Sequence, residues 1–342
     1  MKKRVKPIIW GSCILLIMVA LAAAYTVFRI SHCMTTPLDP DPEKILFTIS
    51  PGQGLNTIAA HLEARGLIAH KTCFKLYARY KKAASRLKAG EYMIAASQAP
   101  ARILDIFVQG KERLFPITIP EGLNMDEIAQ RIAETGFCTR ENFLKLCRDP
   151  EFIRSLDIES HTLEGYLFPD TYFFPNHTGC QKIIRKMTAT FHSVFTPEWR
   201  ARAKEMGFSV QEIVTLASMI EKETADPSER PLISSVFHNR LKKRMRLESD
   251  PTVIYGDKDF KGRIRTKHLR RSTPYNTYRI FGLPLGPIAN PGALALKAAL
   301  FPEPSSFFFF VSKNDRTHYF SKTLAEHNRA VRKYQLKGSS NH

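Results

Sequence analysis

Two glutamates, Glu221 and Glu223, stand at the end of the apolar stretch Leu216–Thr224 (LASMIEKET). On a helix each residue turns about 100°. With Ile220 as zero, Glu223 falls about 60° to one side and Glu221 about 100° to the other. Glu223 is therefore expected nearer the apolar face, and Glu221 on its flank. A carboxyl beside apolar groups resists ionisation, so its pKa rises. The negative end of the helix dipole pushes the same way. Such a carboxyl can hold a proton near neutral pH and give it to a leaving oxygen. A solvated helix end would account for the same letters.

Other chemistry-bearing residues cluster in three segments. Leu163–Tyr172 is dense in aromatics and holds Glu164 and Asp170. Aromatic faces and carboxylates suit a sugar, but the same segment reads as a packed turn with Asp170 as its cap. Asp250–Gly256 and Thr273–Tyr278 alternate polar and aromatic residues, as a polar cleft would. Asp250 could be the second carboxylate of a two-carboxylate glycosidase, or a turn residue before Pro251. His238, His268, His318 and His327 have no metal-ligand spacing, so no metal site is expected. There is no GxSxG, no P-loop and no GxGxxG, and no cofactor is indicated.

The elements that must position these residues belong to a chain of 342 residues, 44% hydrophobic and 24% charged. These values exclude global disorder, a collagen and a multi-span membrane protein. The net charge of +19 favours an anionic partner. Lys2, Lys3, Arg4 and Lys6 precede an uncharged run from Pro7 to Phe28, closed by Arg29. About 20 apolar residues cross a bilayer as helix, and the flanking charges keep the N-terminus in the cytoplasm. The segments are 1–7, a cytoplasmic tail; 8–28, a transmembrane anchor; and 29–43, a proline-bearing linker. A signal peptide cut near Ala22-Ala23-Ala24 is the rival reading. Subtracting those five basic residues leaves the remainder about +14. An exported domain rarely meets nucleic acid, so no nucleic-acid partner is expected. The basic runs Lys242–Arg246 and Arg263–Arg271 read as solvated faces.

Phe47–Gly52 and Ile117–Gly122 echo each other as strand and turn, each followed by apolar residues at helical spacing. Between them, Cys73–Tyr80 reads as helix, Ala89–Ile94 as turn and strand, and Ala101–Gln109 as a helix ended by Gly110. This is a β-α-α-β-α module. Further helices are expected near 125–134, 140–148 and 180–195. Ser209 and Glu212 are spaced as a capping box for a helix over 209–225, with Ile213, Leu216, Ala217, Ile220 and Thr224 on one face. Asp226-Pro227 stops it, and Asp226 or Ser228 caps the next. Residues 282–292 hold three glycines and three prolines and form a shaped loop. Phe307–Val311 reads as a buried strand. Of six cysteines, Cys13 lies in the anchor. Cys33, Cys73, Cys138, Cys147 and Cys180 include no CxxC. One bridge among Cys138, Cys147 and Cys180 and a set of buried free thiols are both open.

Taken together, EGYLFPDTY (164–172), LASMIEKET (216–224), HNRL (238–241), RLESDPTVIYG (246–256), STPYNTY (272–278), GLPLGPIANPG (282–292) and EHN (326–328) resemble the endolytic murein transglycosylases, the MltG or YceG-like family. The resemblance covers roughly 45 to 335. Leu285 stands where the family often has proline, Phe307–Phe310 is more aromatic than usual, and the five outer cysteines are not part of the pattern. The resemblance implies an α+β chain: one N-terminal transmembrane helix, a small LysM-like α+β module at 44–112, and a larger mixed α/β catalytic domain at 113–336 before a tail at 337–342. It implies a peptidoglycan lytic transglycosylase of the inner membrane, facing the periplasm, which cuts the MurNAc-GlcNAc bond and leaves 1,6-anhydro ends. It implies partners among the proteins of wall synthesis. Glu223 matches the family's catalytic glutamate, with Glu221 as the fallback. Asp250, Tyr255, Asn276 and Tyr278 are then expected to hold the glycan, with Glu164 and Asp170 as further sugar contacts. A lysozyme-like hydrolase with Asp250 as nucleophile and a non-catalytic wall-binding scaffold are the competing functions.

Overall fold

A computed structural model describes residues 5–40, 43–224, 226–257, 260 and 262–336. Lys2, Lys3, Arg4 and the tail 337–342 lie outside the described residues. Helices and short strands are mixed, and the chain divides into two compact units, Met1–Phe115 and Pro116–His342.

The first unit opens with helix α1 (Val5–Thr35). Its stretch Cys13–Thr35 is 23 residues long and apolar, and the most apolar 18-residue window within it is unburied by protein. At 1.5 Å per residue it extends about 34 Å, enough to cross a hydrocarbon core of about 30 Å. The helix does not stop at Arg29, as expected, but runs on to Thr35. Ile30 and Met34, four residues apart, lie on one helical face and pack into the unit's core, where Met34 is fully buried. The linker prolines Pro37 and Pro40 come only after this turn.

Strand β1 (Lys44–Ile49), α2 (Leu55–Ala64), α3 (Lys71–Tyr80), β2 (Gly90–Ala95) and α4 (Pro100–Gln109) follow in the expected order. β1 and β2 pair antiparallel, from Lys44 opposite Ala95 to Ile49 opposite Gly90. One face of this ribbon sends Phe47, Ile49, Tyr92 and Ile94 onto Ile58, Leu62, Phe74 and Phe107. Phe47 stacks on Phe107 at 5.6 Å, and Tyr92 meets the same ring edge-on at 4.8 Å. Pro100 starts α4, and Gly110, at φ 71°, ends it in the left-handed conformation that glycine adopts without cost.

The second unit begins within β3 (Leu114–Thr118). It continues through α5 (Met125–Glu134), α6 (Arg140–Leu146), α7 (Pro150–Arg154), β4 (Thr171–Pro175), α8 (Cys180–Val194), α9 (Pro197–Glu205) and α10 (Val210–Glu223). A 3-10 turn, Pro227–Glu229, leads into α11 (Arg230–Lys242), α12 (Asp250–Ile254), α13 (Thr266–Leu269) and α14 (Ala293–Leu300). β5 (Phe309–Ser312), β6 (His318–Ser321) and α15 (Leu324–Val331) close it. β3 pairs with β4 and β5 with β6, each in a two-stranded sheet.

Helix α10 is the axis of this unit. Ser209 and Glu212 form the expected capping box. The single apolar stripe was too modest an expectation, because every residue from Ile213 to Ile220 is buried. α10 packs against α14, α11, α12 and α9, and a helix surrounded this way has no solvent face. Its polar residues bond locally: Thr215 donates to the Gln211 carbonyl at 2.7 Å, and Ser218 to that of Thr215 at 2.7 Å. The Phe307–Val311 run is not a buried strand. β5 has one strand partner and lies half exposed, with the Arg240 guanidinium over Phe309 and Phe237 against Phe310.

Cys138 and Cys180 are joined as a disulfide across 42 residues, and Cys147 is a buried free thiol. Closing a loop of that length removes unfolded-chain entropy worth about 4 kcal/mol. The Cys138→Ala/Cys180→Ala protein should therefore unfold at lower urea by about 2–4 kcal/mol, measured by equilibrium denaturation.

Candidate active site

The buried course of α10 ends at Glu223, and Thr224 turns the chain into extended conformation. The Glu223 carboxyl keeps part of its surface open but is crowded by protein. Burial pushes its pKa up to about 7. The Ser249 hydroxyl, which donates to Oε1, and the charge of Arg240 work against that rise, and the charge of Asp250 adds to it. Among the described residues Ser249 is the one donor to Glu223. No described residue donates to the second carboxyl oxygen.

Ser249 is itself fixed from below. Its N–H donates to Thr277 Oγ1 at 2.9 Å, its carbonyl accepts from Thr252 Oγ1 at 2.6 Å, and the two threonine hydroxyls meet at 2.8 Å. Ser249, Thr252 and Thr277 are all buried. Arg240 on α11 holds the strand of chain before Ser249. Its Nη1 donates to the Arg246 and Leu247 carbonyls at 3.1 and 3.0 Å and to Glu248 at 3.2 Å, and its Nε to the Phe308 carbonyl at 2.7 Å. Asp250 starts α12 beside Ser249. It is exposed and accepts from the Tyr278 hydroxyl at 2.7 Å. Glu223, Asp250 and Tyr278 are close enough to feel one another's charge.

Glu221 lies elsewhere on the helix end and is more deeply buried than its flank position implied. Its Oε1 accepts from Arg230 Nη2 at 2.6 Å and its Oε2 from the Gly292 N–H at 3.0 Å. Burial raises its pKa while Gly292 and Arg230 hold it down. Both oxygens are taken, so Glu221 fastens the end of α10 rather than facing a ligand.

Glu164 is the other carboxyl that burial pushes up to about 7. It does not face a cleft. The Met125 N–H at the start of α5 donates to both its oxygens at 2.9 and 3.1 Å, Asn290 Nδ2 donates at 2.9 Å, and the Tyr255 hydroxyl at 2.8 Å. These donors saturate the group and tie three loops together. Tyr255 is thus a partner of Glu164, and its ring packs on Tyr275 at 4.7 Å.

Asn276 is not placed to hold a sugar, contrary to expectation. It is completely buried. Its Nδ2 donates to the Leu269 and Arg271 carbonyls at 3.1 and 2.7 Å, and its Oδ1 accepts from the Tyr278 N–H at 3.0 Å. The amide is spent on shaping the turn that presents Tyr278. Asp170 is exposed, accepts from its neighbour's N–H (Thr171) at 2.7 Å, and does not join the cluster. Sequence reasoning missed Ser249, Thr252, Thr277, Arg240, Arg230 and Asn290. Each is a buried polar residue whose partner is remote in the chain, which no local spacing reveals. Among the described residues no cluster of His, Cys, Asp and Glu could hold a metal ion.

The family model described as "YceG-like family" matches residues 47–333. A protein of Bacillus subtilis (strain 168) named endolytic murein transglycosylase is 34% identical over 324 residues, covering 90% of this chain and 89% of the relative. A protein of the same name from Streptococcus pneumoniae serotype 2 (strain D39) is 29% identical over 351 residues, with 92% of this chain covered, and this chain spans 63% of that relative's length. The crystal structure of a YceG-like protein from Listeria monocytogenes superposes with a TM-score of 0.59 at 35% identity, over 84% of this chain and 99% of that one.

A carboxyl whose folded pKa is raised favours the fold while protonated. For Glu223 that contribution is complete below the unfolded value near 4.5 and is lost as pH rises through about 7. Glu223→Gln should therefore stabilise the protein at pH 8 by about 1–3 kcal/mol and change little at pH 4.5. Thermal melts at the two pH values measure it.

Proposed function

Because this chain belongs to the YceG-like family, we propose that it is an endolytic peptidoglycan lytic transglycosylase in which Glu223 acts as general acid and then general base. The observation that carries the assignment is the Glu223 carboxyl: desolvated enough to keep a proton near neutral pH, steadied on one oxygen by Ser249, and open on the other.

Protonated Glu223 gives its proton to the oxygen that links N-acetylmuramic acid to the next N-acetylglucosamine. The bond from that oxygen to the muramic C1 breaks, and positive charge spreads over C1 and the ring oxygen. Asp250, anchored by Tyr278, supplies negative charge beside this site and a partner for sugar hydroxyls. The Glu223 carboxylate then takes the proton from the muramic C6 hydroxyl. O6 closes on C1 to give the 1,6-anhydro ring, and the acid is restored with no water consumed. Nucleophile and electrophile share one ring, so little orientational entropy is lost. A single carboxyl with a pKa near pH 7 can do both jobs.

The first unit fits a LysM-like wall-binding module at 44–112, with the catalytic domain at 113–336. α1 serves as a single-pass anchor in the cell inner membrane, its basic N-terminal flank inside and the catalytic domain in the periplasm. Proteins of wall synthesis are the partners expected at that place. A periplasm-active reporter fused after residue 40 should be active, and a reporter active only in cytoplasm would reverse the orientation.

Purified protein acting on peptidoglycan should release anhydro-muramic ends, detected by mass spectrometry. Reducing ends instead would assign a hydrolase. Glu223→Gln should lower kcat by about 10²–10⁴-fold, with KM little altered. Turnover should fall as pH rises through about 7, where Glu223 loses its proton. Ser249→Ala removes a bond that stabilises the carboxylate, so it should move that alkaline limb to higher pH.

A further inference from the structure

The basic run Arg263–Arg271 forms more than a solvated face. Among the described residues it lines an open cavity of about 400 Å³ with Arg263, Arg265, Lys267, His268 and Arg271, against one acidic residue, Asp257. Arg271 is ion-paired with Asp257. Among the described residues no carboxylate pairs with Arg263, Arg265 or Lys267. Three like charges converging on one hollow repel each other, and an anionic ligand relieves that repulsion. Two arginines offer planar donor forks that match a carboxylate.

The cavity is fastened to the catalytic end of the unit from two sides. Asn276 grips the carbonyls of Leu269 and Arg271 and, two residues on, the turn presents Tyr278 to Asp250. On the other side α12 runs from Asp250, next to Ser249, and Asp257 on the cavity wall lies three residues past its end. Five helical residues advance about 7.5 Å and three more span at most about 10 Å, so the Asp257 wall of the hollow lies within about 20 Å of Asp250.

We propose that this cavity is a subsite for the carboxylates of the peptides borne by the glycan strand. The proposal rests on the reading of the chain as an endolytic enzyme of peptidoglycan. Such an enzyme cuts within the strand, where every muramic residue can bear a peptide with free carboxylates. A terminal diphosphate occurs at one end alone and would seldom lie beside the bond being cut. Arg263, Arg265 and Lys267 act by positioning the strand, not in the proton transfers.

The test compares full-length protein on peptide-bearing strands and on strands stripped of peptides by an amidase. The readout is the ratio of the two kcat/KM values, with anhydro ends counted as product. In the natural protein the ratio should exceed one and shrink with added salt. In Arg263→Gln/Arg265→Gln/Lys267→Gln it should fall by about tenfold, equivalent to about 1.4 kcal/mol. Single Arg263→Gln and Lys267→Gln proteins, changed at exposed positions, should show part of the same fall if the triple variant folds poorly. An unchanged ratio in all variants would overturn the subsite. A loss confined to strands that retain a lipid diphosphate end would overturn it in favour of phosphate. If the natural protein makes no anhydro ends on either strand, it is the underlying enzymatic reading that fails.

Discussion

A helix enclosed on every side has to end somewhere, and the cost of that ending shapes the second unit. α10 is buried from Ile213 to Ile220 and then carries two carboxyls into protein surroundings. Its C-terminus already presents unpaired carbonyls and negative dipole charge. Adding two anions there would be ruinous if both had to ionise without partners. The fold treats them differently. Glu221 receives Arg230 and the Gly292 N–H, an arrangement that fixes the helix end against the 292 loop. Arg230 is nearly sealed, and its Nε and Nη1 find no partner among the described residues. An ion pair bought at that desolvation cost contributes position more than stability. Among the described residues Glu223 receives one hydroxyl, that of Ser249, and burial raises its pKa to about 7.

Two carboxyls in this unit, Glu164 and Glu223, sit near the same protonation threshold. Burial raises both, so the raised pKa alone does not favour Glu223 over Glu164 as the proposed acid. What separates them is the donor count. Glu164 is ringed by Met125, Asn290 and Tyr255 and has no capacity left. It joins α5, the 164–167 turn and the 290 loop into one frame, since Asn290 also accepts from Leu167 and donates to the Leu123 carbonyl. Among the described residues no donor reaches the second oxygen of Glu223. A proton donor needs that vacancy as much as it needs the shifted pKa.

The elements were largely legible because local patterns fix them. The Ser209–Glu212 capping box, the Gly110 stop and the β-α-α-β-α order of the first unit follow from spacing and turn chemistry. The preference for Glu223 over Glu221 as the residue nearer the apolar face rested on the helical period. What spacing could not show was where each polar group spends its hydrogen bonds. Asn276 and Glu164 stand in segments that look like a polar cleft, yet both are buried and satisfied by backbone and side-chain partners up to 126 residues away. Ser249 precedes Asp250 with no local pattern to single it out, and it is the direct partner of Glu223. Phe307–Val311 looked like core because it is apolar, but a two-stranded ribbon has too few neighbours to bury it. The extension of α1 to Thr35 was hidden by the prolines that follow it.

The position of Ser249 bears on how one carboxyl can serve two steps. A hydrogen bond to the carboxylate favours the charged form, and burial disfavours it. Without the bond, the neutral form would be held so firmly that donation to a sugar oxygen would be uphill. Without the burial, the group would ionise far below neutral pH and arrive at the substrate with nothing to give. The two influences oppose each other at a single atom and leave the proton affinity near the middle of the working range. Ser249 can hold that balance because Thr252, Thr277 and the Arg240 clamp leave its hydroxyl little freedom to turn elsewhere. The tuning of the Glu223 carboxyl is thus a property of the chain segment 246–252 as much as of α10, and the helix that carries the proposed acid does not by itself set its proton affinity.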